Sequence, residues 1–457
     1  MPVSRREFLR RSGCAALSAS AFASTLTRFG LVDALAQHHH HLVAPLATDY
    51  RALVCVFLAG GNDAWNTIVS LDDYASYAST RSTIALSQDG LLPIQPPSDG
   101  RRFGFHASLA GLHALWTQQK LAVLCNVGTL VEPITRAQYL ASPALRPPNL
   151  FSHSDQVYEW QTGIAAPPLT TGWGGRVGDR TLTMNGAALF PMIVTVAGAA
   201  TFGTGAVARA FEMTPQGTVA LSGFSGSTNS QIRRTAMRDL LQMDREVTFV
   251  RAAGDTVVKA LETDALVTQA LNAAPPLQTV FPIGALADQL KMVARLISAR
   301  DLLGMRRQIF FVSLGGFDTH SGQITAQAGL LTQLSEALSA FYAATMEMNV
   351  ANEVTTFTNS DFGRAYRSNG PGTDHGWGSC QFVLGGAVRG GDFVGAWPTL
   401  ALGGPDDSGS IGRFIPKVSV DQYAATLATW YGLPPSDLAA VFPNITHFDT
   451  ADLGFFA

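Results

Sequence analysis

The stretch YRALVCVFLAGGND, residues 50–63, sets the fold class. From Tyr50 to Ala59 the run is almost wholly apolar and alternates poorly. That is the pattern of a strand covered on both faces, at the centre of a parallel sheet. It stops at Gly60-Gly61 and reaches an aspartate at Asp63. The same sentence is written twice more. QIFFVSL (308–314) runs through Gly315-Gly316-Phe317 into Asp318, and VTTFTN (354–359) runs through Ser360 into Asp361. KLAVLCNV (120–127) reads as a further buried strand and Met192 to Val196 as another. Leu109 to Gln119 and Gln323 to Met348 have helical periodicity. Strands alternating with helices predict a three-layer α/β/α sandwich around a mostly parallel, doubly wound sheet. Ligands bind such sheets at the carboxyl ends of the strands, so Asp63, Asp318 and Asp361 are expected to converge.

Composition supports one large core. Of 457 residues, 47% are apolar and 14% charged, below the roughly 25% charge of an average globular chain. General disorder is excluded, and a net charge of −3 offers no electrostatic grip on nucleic acid. No apolar run approaches the roughly 18 residues of a membrane span. From Gly198 to Ser230 Gly, Ser, Thr and Ala dominate, and helix formers follow to Ala273. Residues 197–284 therefore read as an insertion, a small lid of a strand pair and helices, within a single domain over 50–457.

The N-terminus reads as an address. SRREFLR (4–10), the apolar Cys14–Ala23 segment and the small-x-small site Ala34-Leu35-Ala36 form a twin-arginine secretion signal over residues 1–36. Arg11 stands where a lipoprotein signal wants an aliphatic residue, so Cys14 is not read as lipidated. The expected partner is the twin-arginine export machinery, and the expected location is the periplasm or beyond. Residues 37–49 form a linker carrying His38 to His41. Three cysteines remain, Cys55, Cys125 and Cys380, and an odd count is no complete disulfide framework. Cys55 and Cys125, in apolar runs, read as buried free thiols.

Three histidines lie beside aspartates in loops: His153 in FSHSD (151–155), His320 in DTH (318–320) and His375 in TDHGWG (373–378). Imidazole with carboxylate suits zinc, and carboxylate-rich sites suit manganese or calcium. His106 and His113 read as structural. Arg364, three residues after Asp361, could clamp a phosphate or sulfate oxygen, or pair with Asp361 or Asp374. Ser152, Ser154 and Thr67 are the candidate nucleophiles, Ser152 foremost because it adjoins His153.

With these residues in view, the chain resembles a twin-arginine-exported bacterial family of unknown function, distantly related to the alkaline phosphatase and sulfatase superfamily. The motifs are FLAGGNDAWN (57–66), LFSHSDQ (150–156), FFVSLGGFDTH (310–320), TNSDFGR (358–364) and NGPGTDHGWG (369–378). Further similarity lies in LAGLHALW (109–116), VLGGAVRGGDF (383–393) and SVDQYAATLATWYG (419–432). The resemblance implies one or two divalent ions acting on an ester. By it, Asp63 is the first-strand ligand, Asp318 and His320 the middle pair, and Asp374 and His375 the Asp-His pair. The spacing Asp-x-His departs from the superfamily's Asp-x-x-x-His, and Cys380-Gln381 stands where relatives carry histidines. Two functions are therefore expected. One is an exported metal-dependent hydrolase of a phosphate or sulfate ester, small or on a glycan. It uses Asp63, Asp318, His320, Asp361, Asp374 and His375 around the metal, with Ser152, His153 and Arg364 in catalysis. The other is a non-catalytic binding protein on the same fold.

Overall fold

The computed structural model describes residues 46–163, 170–217, 228–241, 246 and 248–457. The leader, its cleavage site, Cys14 and His38 to His41 lie outside the described residues. The core is a nine-stranded sheet. Its order is Phe393–Val394, Leu121–Gly128, Ser379–Gly385, Val354–Ser360, Arg51–Ala59, Arg307–Gly315, Ile193–Thr195 and Ala210–Glu212. Val418–Ser419 also pairs with Leu121–Gly128. Ser379–Gly385 alone runs against its neighbours, antiparallel to both Val354–Ser360 and Leu121–Gly128; the other pairings in the sheet are parallel.

Helices cover both faces. Ala110–Thr117, Ala285–Ser298 and Gln323–Glu347 pack on one another, and a second group contains His153–Thr162, Trp173–Thr181 and Val420–Tyr431. This is the three-layer α/β/α arrangement. Covered twice, Ala52 to Leu58 are buried throughout, which is why that segment is a continuous apolar run.

Within residues 197–284 two described elements join the main body. Ala210–Glu212 pairs in parallel with Ile193–Thr195 and so extends the main sheet. The Thr248–Ala273 helix buries Val267 and Ala270 in the main core.

The register fixes the site. Arg51–Ala59 pairs with Arg307–Gly315 so that Ala59 faces Gly315, and with Val354–Ser360 so that Leu58 faces Ser360. Three neighbouring parallel strands thus end together. Gly60 makes the close approach possible: its φ of +114° favours glycine, and a Cβ there would lie 2.4 Å from the Asp318 amide nitrogen. Past Asp361 the chain turns into a short ribbon, Arg364–Ser368 against Thr373–His375, in which Arg364 faces His375. Among the described residues no helix is long and apolar enough to cross a membrane.

Candidate metal centre

His153 opens the His153–Thr162 helix and reaches across to the end of Val354–Ser360. Its Nδ1 lies 2.7 Å from Asp361 Oδ2. The buried Asp361 also accepts from the Gly60 amide at 2.9 Å. A carboxylate can only accept, so His153 Nδ1 carries the proton of that bond, and in the neutral ring the Nε2 lone pair is bare. That Nε2 is buried without a hydrogen-bond partner and stands 3.5 Å from Asp318 Oδ2.

His375 is held the same way. Its Nδ1 donates to the Phe151 carbonyl at 2.7 Å, leaving a second Nε2 lone pair 3.3 Å from Asp318 Oδ1. Burial pulls the His375 imidazole below its usual value, outweighing the opposing pull of the Phe151 carbonyl, so the neutral form is favoured. Burial pushes Asp318 the other way, but the hydrogen bond and charge of the Arg364 guanidinium hold its carboxyl below the usual carboxylate range. Two imidazole lone pairs and an ionised carboxylate therefore converge, with ligand atoms of His153, Asp318 and His375 all within 4.8 Å of one another.

Convergent acceptors repel unless something positive lies among them. Arg364 Nη1 donates to Asp318 Oδ1 at 2.7 Å. His320 Nε2 lies 3.0 Å from the same oxygen and 2.9 Å from His375 Nε2. Neither supplies a proton to His153 Nε2. A divalent ion would satisfy all three groups. Ligand atoms about 2.0–2.2 Å from a tetrahedral zinc stand about 3.3–3.5 Å apart; here His375 Nε2 is 3.3 Å from Asp318 Oδ1, His153 Nε2 is 3.5 Å from Oδ2, and one ligand atom from each residue lies within 4.8 Å of the others. Each ring also donates its far N–H to an outer acceptor, the support typical of metal-ligating histidine. The residues fit a metal, with imidazole and carboxylate donors that favour zinc.

Not every expected residue takes its expected place. Asp361 backs His153 instead of joining the convergent groups. His153, expected in catalysis, lies with Asp318 and His375 among the convergent groups. Asp374 stands one layer out, accepting from Asn369 Nδ2 at 3.1 Å and 3.5 Å from His320 Nδ1. Asp63 is elsewhere. It is fully buried, caps the Ala64–Thr67 turn by accepting from the Trp65 amide at 3.1 Å, and is paired with Arg81 and Gln323. Both carboxylate oxygens of Asp63 are engaged inside the protein, and Asp63 is not among the convergent ligand atoms of His153, Asp318 and His375.

Arg364 is turned inward. Its side chain is fully buried, and its donors go to Asp318, Thr373 and the Gly60 carbonyl. Ser152 donates to Asp155 Oδ2 at 2.6 Å and lies 3.2 Å from Ser154 Oγ, so its proton is directed to Asp155 and not to His153. Thr67 is buried and donates to the Asp63 carbonyl at 2.7 Å. Cys55, Cys125 and Cys380 are free and buried. Cys380 lies in the Ser379–Gly385 strand and interacts with Cys125, whose thiol burial pushes well up, so it is placed with the core and not with the donor set. His106 caps the Ala107–Leu109 turn, and His113 bonds the Pro93 carbonyl at 2.9 Å. His447 bonds the Val131 carbonyl at 2.8 Å.

Two neighbours were missed. Phe151, at φ +75°, adopts a conformation unusual for a non-glycine residue and common at functional sites; it supplies the carbonyl that orients His375. Arg413 donates from Nε to the His375 carbonyl at 2.8 Å. The only sequence cue is that Arg413 is the sole cation in the Gly- and Ser-rich run 403–412 and its immediate follower.

These features sit in a recognised lineage: the chain belongs to the family described as "Protein of unknown function (DUF1501)", whose profile matches residues 146–418. No curated protein matches it. Among solved structures it is similar to a sulfatase from Pseudoalteromonas sp., with 8% identity and TM-score 0.39, covering 89% of this chain and 72% of that one. A protein in the alkaline phosphatase superfamily from Vibrio parahaemolyticus gives 8% identity, TM-score 0.35 and coverage of 90% and 75%. The zinc complex of the C-terminal periplasmic domain of EcEptC from Escherichia coli gives 11% identity, TM-score 0.32 and coverage of 86% and 87%. Likeness at this level says nothing about which residues do what.

Proposed function

We propose that this protein is a metal-dependent hydrolase of phosphate or sulfate esters, working outside the cytoplasm after export by its SRREFLR leader. The observation that carries the reading is the convergence of the His153 and His375 Nε2 lone pairs on the Asp318 carboxylate, both rings held from behind. His153, Asp318 and His375 would hold the ion. When bound, such an ion polarises an ester oxygen and makes water a better nucleophile at neutral pH. The chain's own work is orientation. Asp361 and the Phe151 carbonyl fix both ring tautomers, and Arg364 keeps Asp318 ionised and aimed. His320, exposed at the mouth, can hold a proton at Nε2 beside an incoming oxygen.

The position of Ser152 favours direct attack by water over a seryl intermediate. The same fact motivates a second reading, a binding protein that uses the site to hold a ligand without turnover.

Metal content by plasma mass spectrometry decides first, on the full chain with His38 to His41 replaced by serine. The expected result is one tightly held equivalent, lost in Asp318→Asn and in His375→Ala. Nitrophenyl phosphate and nitrophenyl sulfate then report turnover. A folded protein that takes up neither zinc nor manganese overturns the proposal; bound metal without turnover on any ester moves it to the binding reading.

A further inference from the structure

Arg364 is spent internally, which leaves open what would receive the charge of an anionic substrate. Arg413 has the right surroundings. Its Nε is fixed on the His375 carbonyl at 2.8 Å, and its guanidinium carbon lies 4.1 Å from the centroid of the Phe151 ring. The same Phe151 orients His375 through its carbonyl. One strained residue therefore positions both a donor of the cluster and the arginine beside it. The backbone of Arg413 is also anchored, its amide donating to Asp407 Oδ1 at 3.1 Å. The two terminal amino groups of Arg413 have no hydrogen-bond or ion-pair partner among the described residues, in contrast to those of Arg364.

A guanidinium stacked on an aromatic ring and pinned at Nε presents its terminal N–H groups as a rigid fork. That geometry matches two oxygens of a tetrahedral anion, and a lysine cannot reproduce it. Arg413 is half-buried, so burial lowers its pKa, but an arginine stays charged under any working condition.

We infer that Arg413, held by Phe151 and the His375 carbonyl, is the residue that binds the anionic group of the substrate. This rests on the hydrolase reading above and selects substrates whose ester is itself charged, a phosphate monoester or a sulfate ester, over neutral carboxylic esters.

The test is calorimetric titration of the zinc-loaded full chain with inorganic phosphate and with sulfate, alongside zinc content. Wild type should bind one anion per zinc. Arg413→Gln should weaken that binding roughly 10- to 100-fold, the loss of a charge-assisted fork, with zinc content unchanged. Arg413→Lys should recover only part of it. Phe151→Leu, which removes the ring but keeps the backbone carbonyl for His375, should weaken binding several-fold. Equal anion affinity in wild type and Arg413→Gln at equal zinc content overturns the inference and leaves the metal centre standing. So does a zinc-loaded wild type that binds neither anion. A wild type that takes up no zinc removes the underlying reading, and this inference with it.

Discussion

Asp63 and Asp318 follow the ends of adjacent parallel strands, yet they sit in opposite electrostatic worlds. Asp63 is fully buried, with the Arg81 guanidinium against it and the Gln323 amide donating to it. Its charge is balanced inside the protein. Asp318 is 44% exposed and pairs with Arg364, while the His153 Nε2 beside it is buried with no hydrogen-bond partner. An acidic residue at a strand end is thus not informative by itself. The surplus of acceptors over donors around it is what marks a place for an external cation.

The contrast breaks most sharply under paired substitution. Asp318→Asn should abolish metal uptake and lower ester hydrolysis beyond the roughly 10–100-fold that loss of an outer hydrogen-bond partner costs. Its fold should survive, because the amide oxygen still accepts from Arg364. Asp63→Ala should do the reverse. It strands a buried Arg81, costs about 3–5 kcal/mol in urea unfolding, and leaves metal content per folded molecule unchanged. If Asp63→Ala instead strips the metal from a folded protein, the division drawn between the two aspartates is wrong. Asp361→Ala comes next. Without its carboxylate the His153 ring can turn and change tautomer, so metal affinity should fall by roughly 10–100-fold, measurable by competition with a chromogenic chelator.

Glu159 sharpens the comparison as a third buried acid, with neither a guanidinium nor a metal cluster. Burial pushes it up to about 8, against the lowering effect of hydrogen bonds from Thr129 and Gln156. The sign follows from the protons held. Between about pH 5 and pH 8 the folded state keeps a proton that the unfolded state has lost, so stability falls as pH rises, by ~1.4 kcal/mol per unit for this group. Glu159→Gln should flatten that fall and gain on wild type from pH 5 to pH 8 in chemical unfolding; parallel curves would show that Glu159 is ionised in the fold. The smallest effect is expected for Ser152→Ala. Its hydroxyl faces Asp155, so steady-state hydrolysis should change less than about threefold. A collapse of activity would restore Ser152 as nucleophile.

Much of this was legible in the sequence, for a physical reason. Arg51–Ala59, Arg307–Gly315 and Val354–Ser360 lie buried in the sheet, and that writes a continuous apolar run whose ends can be read to within about a residue. The aspartates at those ends and the Asp-His loops could be listed on residue type alone. Their roles could not. Whether His153 is a donor or a base depends on Asp361, 208 residues away, and Asp63 is neutralised by Arg81 only because the Tyr74–Arg81 helix turns that arginine inward. Pairings of this kind are decided by packing, which leaves no local periodicity. Arg413 was invisible for the same reason, since its meaning comes from lying over Phe151.

The donor set also has a consequence in time. Its members stand at positions 153, 318 and 375, and Ser379–Gly385, which wedges between Leu121–Gly128 and Val354–Ser360, follows them. No nascent chain shorter than about 375 residues can own the complete site. The ion therefore cannot nucleate folding as it does in a small zinc module. An ion bound there would be captured by a nearly finished sheet whose long-range pairings form slowly. Under the export reading the chain leaves the cytoplasm already folded, so a complete site would meet the cytoplasmic metal pool before the periplasmic one.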